Sequence, residues 1–155
     1  LACWILGNVR YAQDVAAGEA LHDEAETLLN PQADLRTWGR FHKARAALRM
    51  TLERTEQVAE WLSVARVSFQ MSGAPDDVIE LHVDEAKLAI LENRHAEALR
   101  LIDYALTDDA LTQSDHTHGD ALEVKVMALV GLGRDAEAAE VSSRMHALRQ
   151  TARSR

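Results

Sequence analysis

Apolar residues recur every three or four positions along most of the chain, which is the spacing of an amphipathic helix. In the last third this spacing is interrupted at 131–133. Before the interruption, one helical face carries Leu122, Val126, Leu129 and Val130. After it, one helical face carries Ala138, Val141, Met145 and Leu148. The pattern predicts two helices and a tight turn. We expect Gly133 to end the first helix in the left-handed conformation and Asp135 to cap the second.

A nearly identical hexapeptide marks this turn and an earlier one. The segment NRHAEA occupies 93–98, and GRDAEA follows 40 residues later at 133–138. Asn93 stands where Gly133 stands in the second copy, and asparagine is the residue after glycine that most readily adopts the left-handed conformation. The small residues Ala98 and Ala138 are also matched, and they let two helices approach closely. The hexapeptide therefore predicts the elbow of a repeated helical hairpin.

Two further hairpins are predicted before these. The segment ERTEQV at 53–58 separates two stretches of helical periodicity, and HDEAETLL at 22–29 resembles HAEALRLI at 95–102. This correspondence predicts a first helix near 2–16 and a second near 19–29. Breaks between hairpins are expected at 30–32, at 72–77 with Pro75, Asp76 and Asp77 in a first helical turn, and over a polar connection at 107–119. The sequence predicts eight helices in four hairpins.

Composition supports one all-α domain over residues 1–155. Hydrophobic residues make up 47% of the chain, and only 7 glycines and 2 prolines interrupt it.

A net charge of −8 argues against direct nucleic-acid binding, which depends on lysine and arginine displacing counterions. No apolar run approaches the roughly 20 residues that cross a bilayer, and the single Cys3 fits a reducing compartment, so a cytoplasmic location is expected. The first residue is leucine, which suggests a fragment of a longer chain.

The repeated elbow resembles the tetratricopeptide repeat, a hairpin of about 34 residues. One copy fits the residues Ala86, Asn93, Ala98, Ile102 and Ala105; the next fits Gly133, Ala138 and Met145. The longer spacing of 40 resembles the degenerate repeats of large bacterial transcriptional regulators, including the maltose-regulator-like group. The resemblance implies a right-handed α-solenoid of antiparallel hairpins that binds a peptide, a protein segment or a small inducer. It also implies a DNA-binding domain elsewhere in a longer chain.

A basic face on the predicted third helix is the candidate binding site. Arg36, Arg40 and Lys43 are spaced so that all three lie on one side of a helix. First helices of tetratricopeptide hairpins line the concave groove, so the resemblance implies that this face receives an acidic peptide end or another anion. Charge-assisted hydrogen bonds make basic side chains suitable for carboxylates. The alternative is that these residues pair with nearby acids, such as Asp34, and with water.

Other chemistry has weaker support in the sequence. The segment DHTHGD at 115–120 contains metal-ligand residue types, including His116 and His118, but residues two apart diverge on a helix. Its alternative role is to cap the following helix. The helical spacing of Trp4, Trp38 and Trp61 favours packing between hairpins over a ligand cage.

No phosphate loop or nucleophile motif is present, so no enzyme and no cofactor are predicted. Three functional hypotheses follow from the sequence. A binding module within a regulator comes first, then a structural scaffold for oligomerisation, and last a metal-dependent enzyme.

Overall fold

The computed structural model describes residues 2–108 and 115–153, and every regular element in these ranges is an α-helix. The described helices are α1 (Ala2–Tyr11), α2 (Val15–Leu28), α3 (Leu35–Met50), α4 (Val58–Met71), α5 (Pro75–Leu91), α6 (His95–Ala105), α7 (Asp115–Gly131) and α8 (Asp135–Arg153). The prediction of an all-α protein is confirmed. No helix in the described part of the chain is long and apolar enough to cross a membrane.

The helices form two compact units, unit 1 (Leu1–Ala74) and unit 2 (Pro75–Arg155). In unit 1, α1 packs against α2, α3 packs against α4, and α1 also contacts α3. In unit 2, α5 packs against α6 and α7 against α8, while α7 also contacts both α5 and α6. Consecutive helices therefore pack in pairs, as the repeated elbow predicts.

The two repeated elbows have the predicted left-handed residues. Asn93 has a φ of 58° and Gly133 a φ of 70°. The N–H of the following arginine then reaches back to a carbonyl oxygen five residues earlier, at 2.7 Å for Arg94 and 2.9 Å for Arg134. This bond satisfies a carbonyl group that the end of the helix leaves without a partner. The same arrangement in both copies explains why glycine or asparagine recurs at this position.

The arginine and glutamate that occur in both copies of the hexapeptide bind each other at the start of the next helix. Arg134 makes two hydrogen bonds to Glu137, of 2.7 and 2.6 Å, and Arg94 pairs with Glu97 in the first copy. The expectation that Asp135 caps α8 is wrong, because Asp135 is already the first residue of that helix. The carbonyl of Arg134 instead accepts the first helical hydrogen bond, from Ala138 N at 3.0 Å.

The first elbow differs from the predicted one. The chain breaks at 12–14 rather than near 17–18, because the Asp14 carboxylate accepts a hydrogen bond from Ala17 N and caps α2. His22 therefore lies in the middle of α2, so its predicted correspondence with His95 is wrong. Gly18 occupies the position of close approach, since a Cβ added there would lie 2.7 Å from Tyr11 Cα.

Other helix starts follow the local sequence. Pro75 begins α5, and Asp76 and Asp77 lie in its first turn, as predicted. The predicted polar connection at 107–119 is too long, because α7 already begins at Asp115. Residues 109–114 of that connection lie outside the described residues.

Each unit has a core of buried apolar side chains. The largest buried side chains of unit 1 include Phe41, Leu62 and Phe69. A core cluster of unit 2 consists mostly of alanine with a few branched residues: Val83, Ala86, Ala89, Ala98, Ile102, Ala105, Ala121, Val124 and Ala128. Small side chains allow the helices of this cluster to pack closely. A second cluster of unit 2 has mostly larger residues: Leu122, Leu129, Ala138, Val141 and Met145.

Candidate functional site

The predicted basic face lies on the outside of α3. Arg36 and Arg40 are exposed and Lys43 is half-buried, and the helical conformation of 35–50 places all three on one side. The Asp34 carboxylate caps the same helix, because it accepts hydrogen bonds from the Thr37 hydroxyl and N–H at 2.7 and 2.9 Å. These bonds lower the pKa of Asp34, and the charge of Arg40 lowers it further. A role for this face in binding stays a prediction.

A second set of charged residues lies between α2 and α3, and the sequence analysis did not predict it. Arg45 is buried, with 8% of its surface exposed, and it pairs with Asp23 and with Glu26, where Nη1 lies 2.7 Å from Oε2. Its guanidinium carbon lies 4.4 Å from the ring centroid of Trp61. The planar cation is therefore held by two carboxylates of α2 and one aromatic ring of α4.

Arg49 repeats this arrangement one helical turn further along α3. Its Nη2 lies 3.1 Å from the Glu19 carboxylate, and its Nη1 donates to Gln57 Oε1 at 2.8 Å. Its guanidinium carbon lies 5.4 Å from the Trp61 ring centroid. We call Glu19, Asp23, Glu26, Arg45 and Arg49 the charge cluster.

The charge cluster leaves two signals in the sequence. Glu19, Asp23 and Glu26 follow the i, i+4, i+7 spacing of one helical face. Arg45 occupies a position in an otherwise apolar stripe, where a charge requires a partner. Neither signal identifies which acid binds which arginine. Glu26 and Asp23 precede Arg45 by 19 and 22 positions in the sequence, so only the fold brings them together.

Beside the charge cluster, aromatic and imidazole rings surround Phe41. The distances from the Phe41 ring centroid are 5.8 Å to Trp4, 6.1 Å to Trp38, 6.1 Å to His22 and 5.1 Å to His42. We call these five residues the aromatic cluster. Trp4 and Trp38 pack here, and Trp61 is buried beneath Arg45. Packing, which the helical spacing of the tryptophans favours, is therefore their observed role in unit 1.

Both histidines of the aromatic cluster are buried and incompletely hydrogen-bonded. His22 Nε2 lies 2.9 Å from Asn8 Oδ1, but its Nδ1 has no hydrogen-bond partner, and neither ring nitrogen of His42 makes a hydrogen bond. Burial lowers the pKa of His42 to about 4, and the nearby positive charge of Arg45 contributes. The pKa of His22 is lowered for the same two reasons. Both imidazoles are consequently neutral at neutral pH.

The histidine-rich segment at 115–120 lies at the start of α7. In a helix, positions 116 and 118 are separated by roughly 200° about the axis. The Asp120 carboxylate lies 3.9 Å from Lys87 Nζ. Within 2–108 and 115–153, no group of three or more histidine, cysteine or acidic side chains is arranged to hold a metal ion. The side chains of Asp115 and His116 lie outside this description.

Comparisons with known proteins do not assign the chain to a family. No family model, no curated protein and no solved structure matches it. The resemblance to tetratricopeptide repeats consequently rests on the elbow residues themselves, and function must be argued from the sites described above.

Proposed function

We propose that the chain is a helical-repeat binding module of the tetratricopeptide type, which takes an acidic peptide or protein segment on the basic face of α3. On this proposal the paired helices belong to a right-handed solenoid, and the module serves a bacterial transcriptional regulator in the cytoplasm. The module binds its partner and performs no chemistry. The repeated elbows and the pairwise packing of consecutive helices support the proposal.

The observation that carries the proposal is the grouping of Arg36, Arg40 and Lys43 on one side of α3. The chain has a net charge of −8, so three basic residues on one face form a local exception. Residues 36 and 43 are separated by about 10 Å along the helix axis, at 1.5 Å per residue. About three residues of an extended peptide span that distance. The best match is therefore an extended segment with carboxylates at alternate positions or at its C-terminus.

A binding titration tests the basic face directly. The probe is a fluorescent peptide with glutamates at alternate positions, and its control carries glutamines at the same positions. We expect Arg40→Glu with Lys43→Glu to weaken binding by about tenfold or more, or about 1.4 kcal/mol, because attraction becomes repulsion. Added salt should weaken wild-type binding as well.

The matched control is Arg100→Glu, which reverses an exposed charge on α6 in unit 2. We expect it to leave peptide affinity unchanged. Circular dichroism establishes that each variant keeps its helix content. Equal affinities for the double variant and the control, or equal affinities for the acidic and glutamine peptides, would remove the proposal.

A second candidate function, an oligomerisation scaffold, is favoured by one feature of α1. Ile5, Leu6 and Val9 are exposed on one face of this helix, at 60%, 49% and 55%. The apolar N-terminal segment is therefore left uncovered on this side by the helices of unit 1. If a second copy covers this face, the mass in sedimentation experiments should rise with concentration, and Leu6→Glu should abolish the rise. Val67→Glu, at an exposed position of α4, is the matched control.

A further inference from the structure

The aromatic cluster places two histidines from different helices on one buried phenylalanine. His22 comes from α2 and His42 from α3, and both are almost completely buried, at 0% and 2% exposure. Their rings lie 6.1 and 5.1 Å from the Phe41 ring centroid. A proton on either ring therefore places a positive charge among aromatic side chains, where little solvation is available.

The groups around His42 offer that charge little compensation. On its own helix it faces the ring of Trp38 at 4.5 Å and the cation of Arg45. On α2 the nearest acid is Glu26, whose Oε1 lies 3.8 Å from Nε2. The other oxygen of Glu26 is already bound to Arg45 at 2.7 Å, so the carboxylate charge is shared with a stronger partner.

His22 is surrounded in a similar way. Asn8 and the stacked ring of Tyr11 face it from α1, at 2.9 Å and 5.8 Å respectively. Glu19 and Asp23 of its own helix favour the protonated form, whereas burial and the charge of Arg45 on α3 oppose it. Both acids are also bound to arginines of α3 in the charge cluster. The two lowering effects are larger, so the pKa of His22 lies below its ordinary value. His22 is therefore neutral at neutral pH, as His42 is.

We propose that unit 1 is an acid-triggered switch, in which protonation of His42 and His22 separates the α1–α2 pair from α3 and exposes the aromatic cluster. Several contacts that join these helices involve the two histidines or lie beside them. The rings of Trp4 and His22 pack on Phe41, and Arg45 bridges to α2. This inference does not depend on the proposed peptide site.

The direction of the pH effect follows from proton linkage. An open unit 1 exposes its histidines, whose ordinary pKa is 6.5, whereas the closed unit holds the pKa of His42 at about 4. Between these values the open state binds more protons, so the closed state is fully favoured above about pH 6.5 and loses that advantage as the pH falls towards 4. His42 alone lowers the closed-to-open ratio by up to roughly 300-fold, a limit that is reached only below about pH 4. His22 acts in the same direction.

Unit 2 differs in a way that makes the switch measurable. Its described histidines, His82, His95, His118 and His146, are half-buried or exposed rather than fully buried. All three tryptophans of the protein, Trp4, Trp38 and Trp61, belong to unit 1. Tryptophan fluorescence of the whole chain therefore reports unit 1 alone, while far-ultraviolet circular dichroism reports the helices of both units.

The test lowers the pH of the intact 155-residue chain and follows both signals. We expect a reversible red shift of tryptophan emission with a midpoint between about pH 4 and about pH 6.5, while much of the helical signal remains. We expect His42→Leu, which cannot be protonated, to move this midpoint down by at least about half a pH unit. His146→Leu, at an exposed position of α8, should leave it unchanged.

Several results would overturn the switch. These are an emission spectrum that stays constant down to about pH 4, equal midpoints for wild type and His42→Leu, or fluorescence and ellipticity changing together. If His42→Leu does not fold, the histidine Cε1–H resonances of the wild type decide the matter. A His42 resonance that titrates near its ordinary value of 6.5 would contradict the proposal.

Discussion

At the scale of single residues, Arg45 shows how a charged side chain can serve as part of a helical core. Its stem and guanidinium are buried against Trp61, while its partners Asp23 and Glu26 stay 67% and 38% exposed. The two acids can therefore be hydrated if the arginine is removed. Burying the cation costs desolvation free energy, which its pairing with the acids offsets. The contribution of Arg45 to stability should consequently come mainly from packing.

Two substitutions separate packing from charge at this position. We expect Arg45→Met, which keeps a long apolar side chain, to change the free energy of unfolding by less than about 1 kcal/mol. Arg45→Ala should lower it by about 2–3 kcal/mol, because it leaves a cavity against Trp61. Chemical denaturation followed by tryptophan fluorescence measures both. Equal losses for the two variants would show that the charge pairing, rather than the packing, stabilises unit 1.

At the scale of elements, the turn between two helices depends mainly on local backbone conformation. The elbows of unit 2 use a left-handed residue followed by an arginine that binds a glutamate three residues later. The first elbow has no left-handed residue and uses the Asp14 cap instead. Consecutive helices can therefore pack as a pair although the chemistry of the turn between them differs.

Gly133 and Asn93, the left-handed residues of the unit 2 elbows, should respond in opposite ways to substitution. Gly133→Ala should destabilise unit 2 by about 1 kcal/mol, because alanine is strained at a φ of 70°. A Cβ at this position meets no described atom within 4 Å, so steric crowding does not add to the effect. Asn93→Gly should be neutral or stabilising, since glycine relieves the strain at a φ of 58°. Denaturation followed by circular dichroism measures both, and a stabilising Gly133→Ala would contradict the assignment of this elbow.

At the scale of the whole molecule, the two units have different interiors. Unit 1 combines aromatic rings with buried histidines and a buried arginine, whereas the two core clusters of unit 2 consist of alanine and aliphatic or methionine side chains. Each unit is internally compact. Substitutions in one core should therefore act on the unfolding of that unit.

Core substitutions in each unit test this expectation. Ile102→Ala removes a fully buried side chain from unit 2 and should cost about 2–5 kcal/mol. We expect it to shift the transition seen by circular dichroism and to leave the fluorescence transition, which reports unit 1, in place. Phe69→Ala in unit 1 should shift the fluorescence transition. If Ile102→Ala shifts both signals equally, the two units unfold as one cooperative body.

The sequence alone predicted the features that depend on residues close together in the chain. Helical periodicity predicted an all-α protein, and the conformational preferences of glycine, asparagine and proline located Gly133, Asn93 and Pro75 correctly. These preferences act within a few residues, so they can be recognised without knowing the fold. The spacing of Arg36, Arg40 and Lys43 on one helical face could also be predicted, because it requires only that α3 is a helix.

Only the tertiary structure decided which helical faces meet. Periodicity identifies the buried face of a helix but does not identify its partner, and it could not pair Arg45 with Asp23 and Glu26. It also could not reveal that His22 and His42 share a buried phenylalanine. The rotation of one helix against another depends on the close packing of many side chains at once, including the near contact of Gly18 with Tyr11. That packing brings together the residues of the charge cluster and those of the aromatic cluster in unit 1.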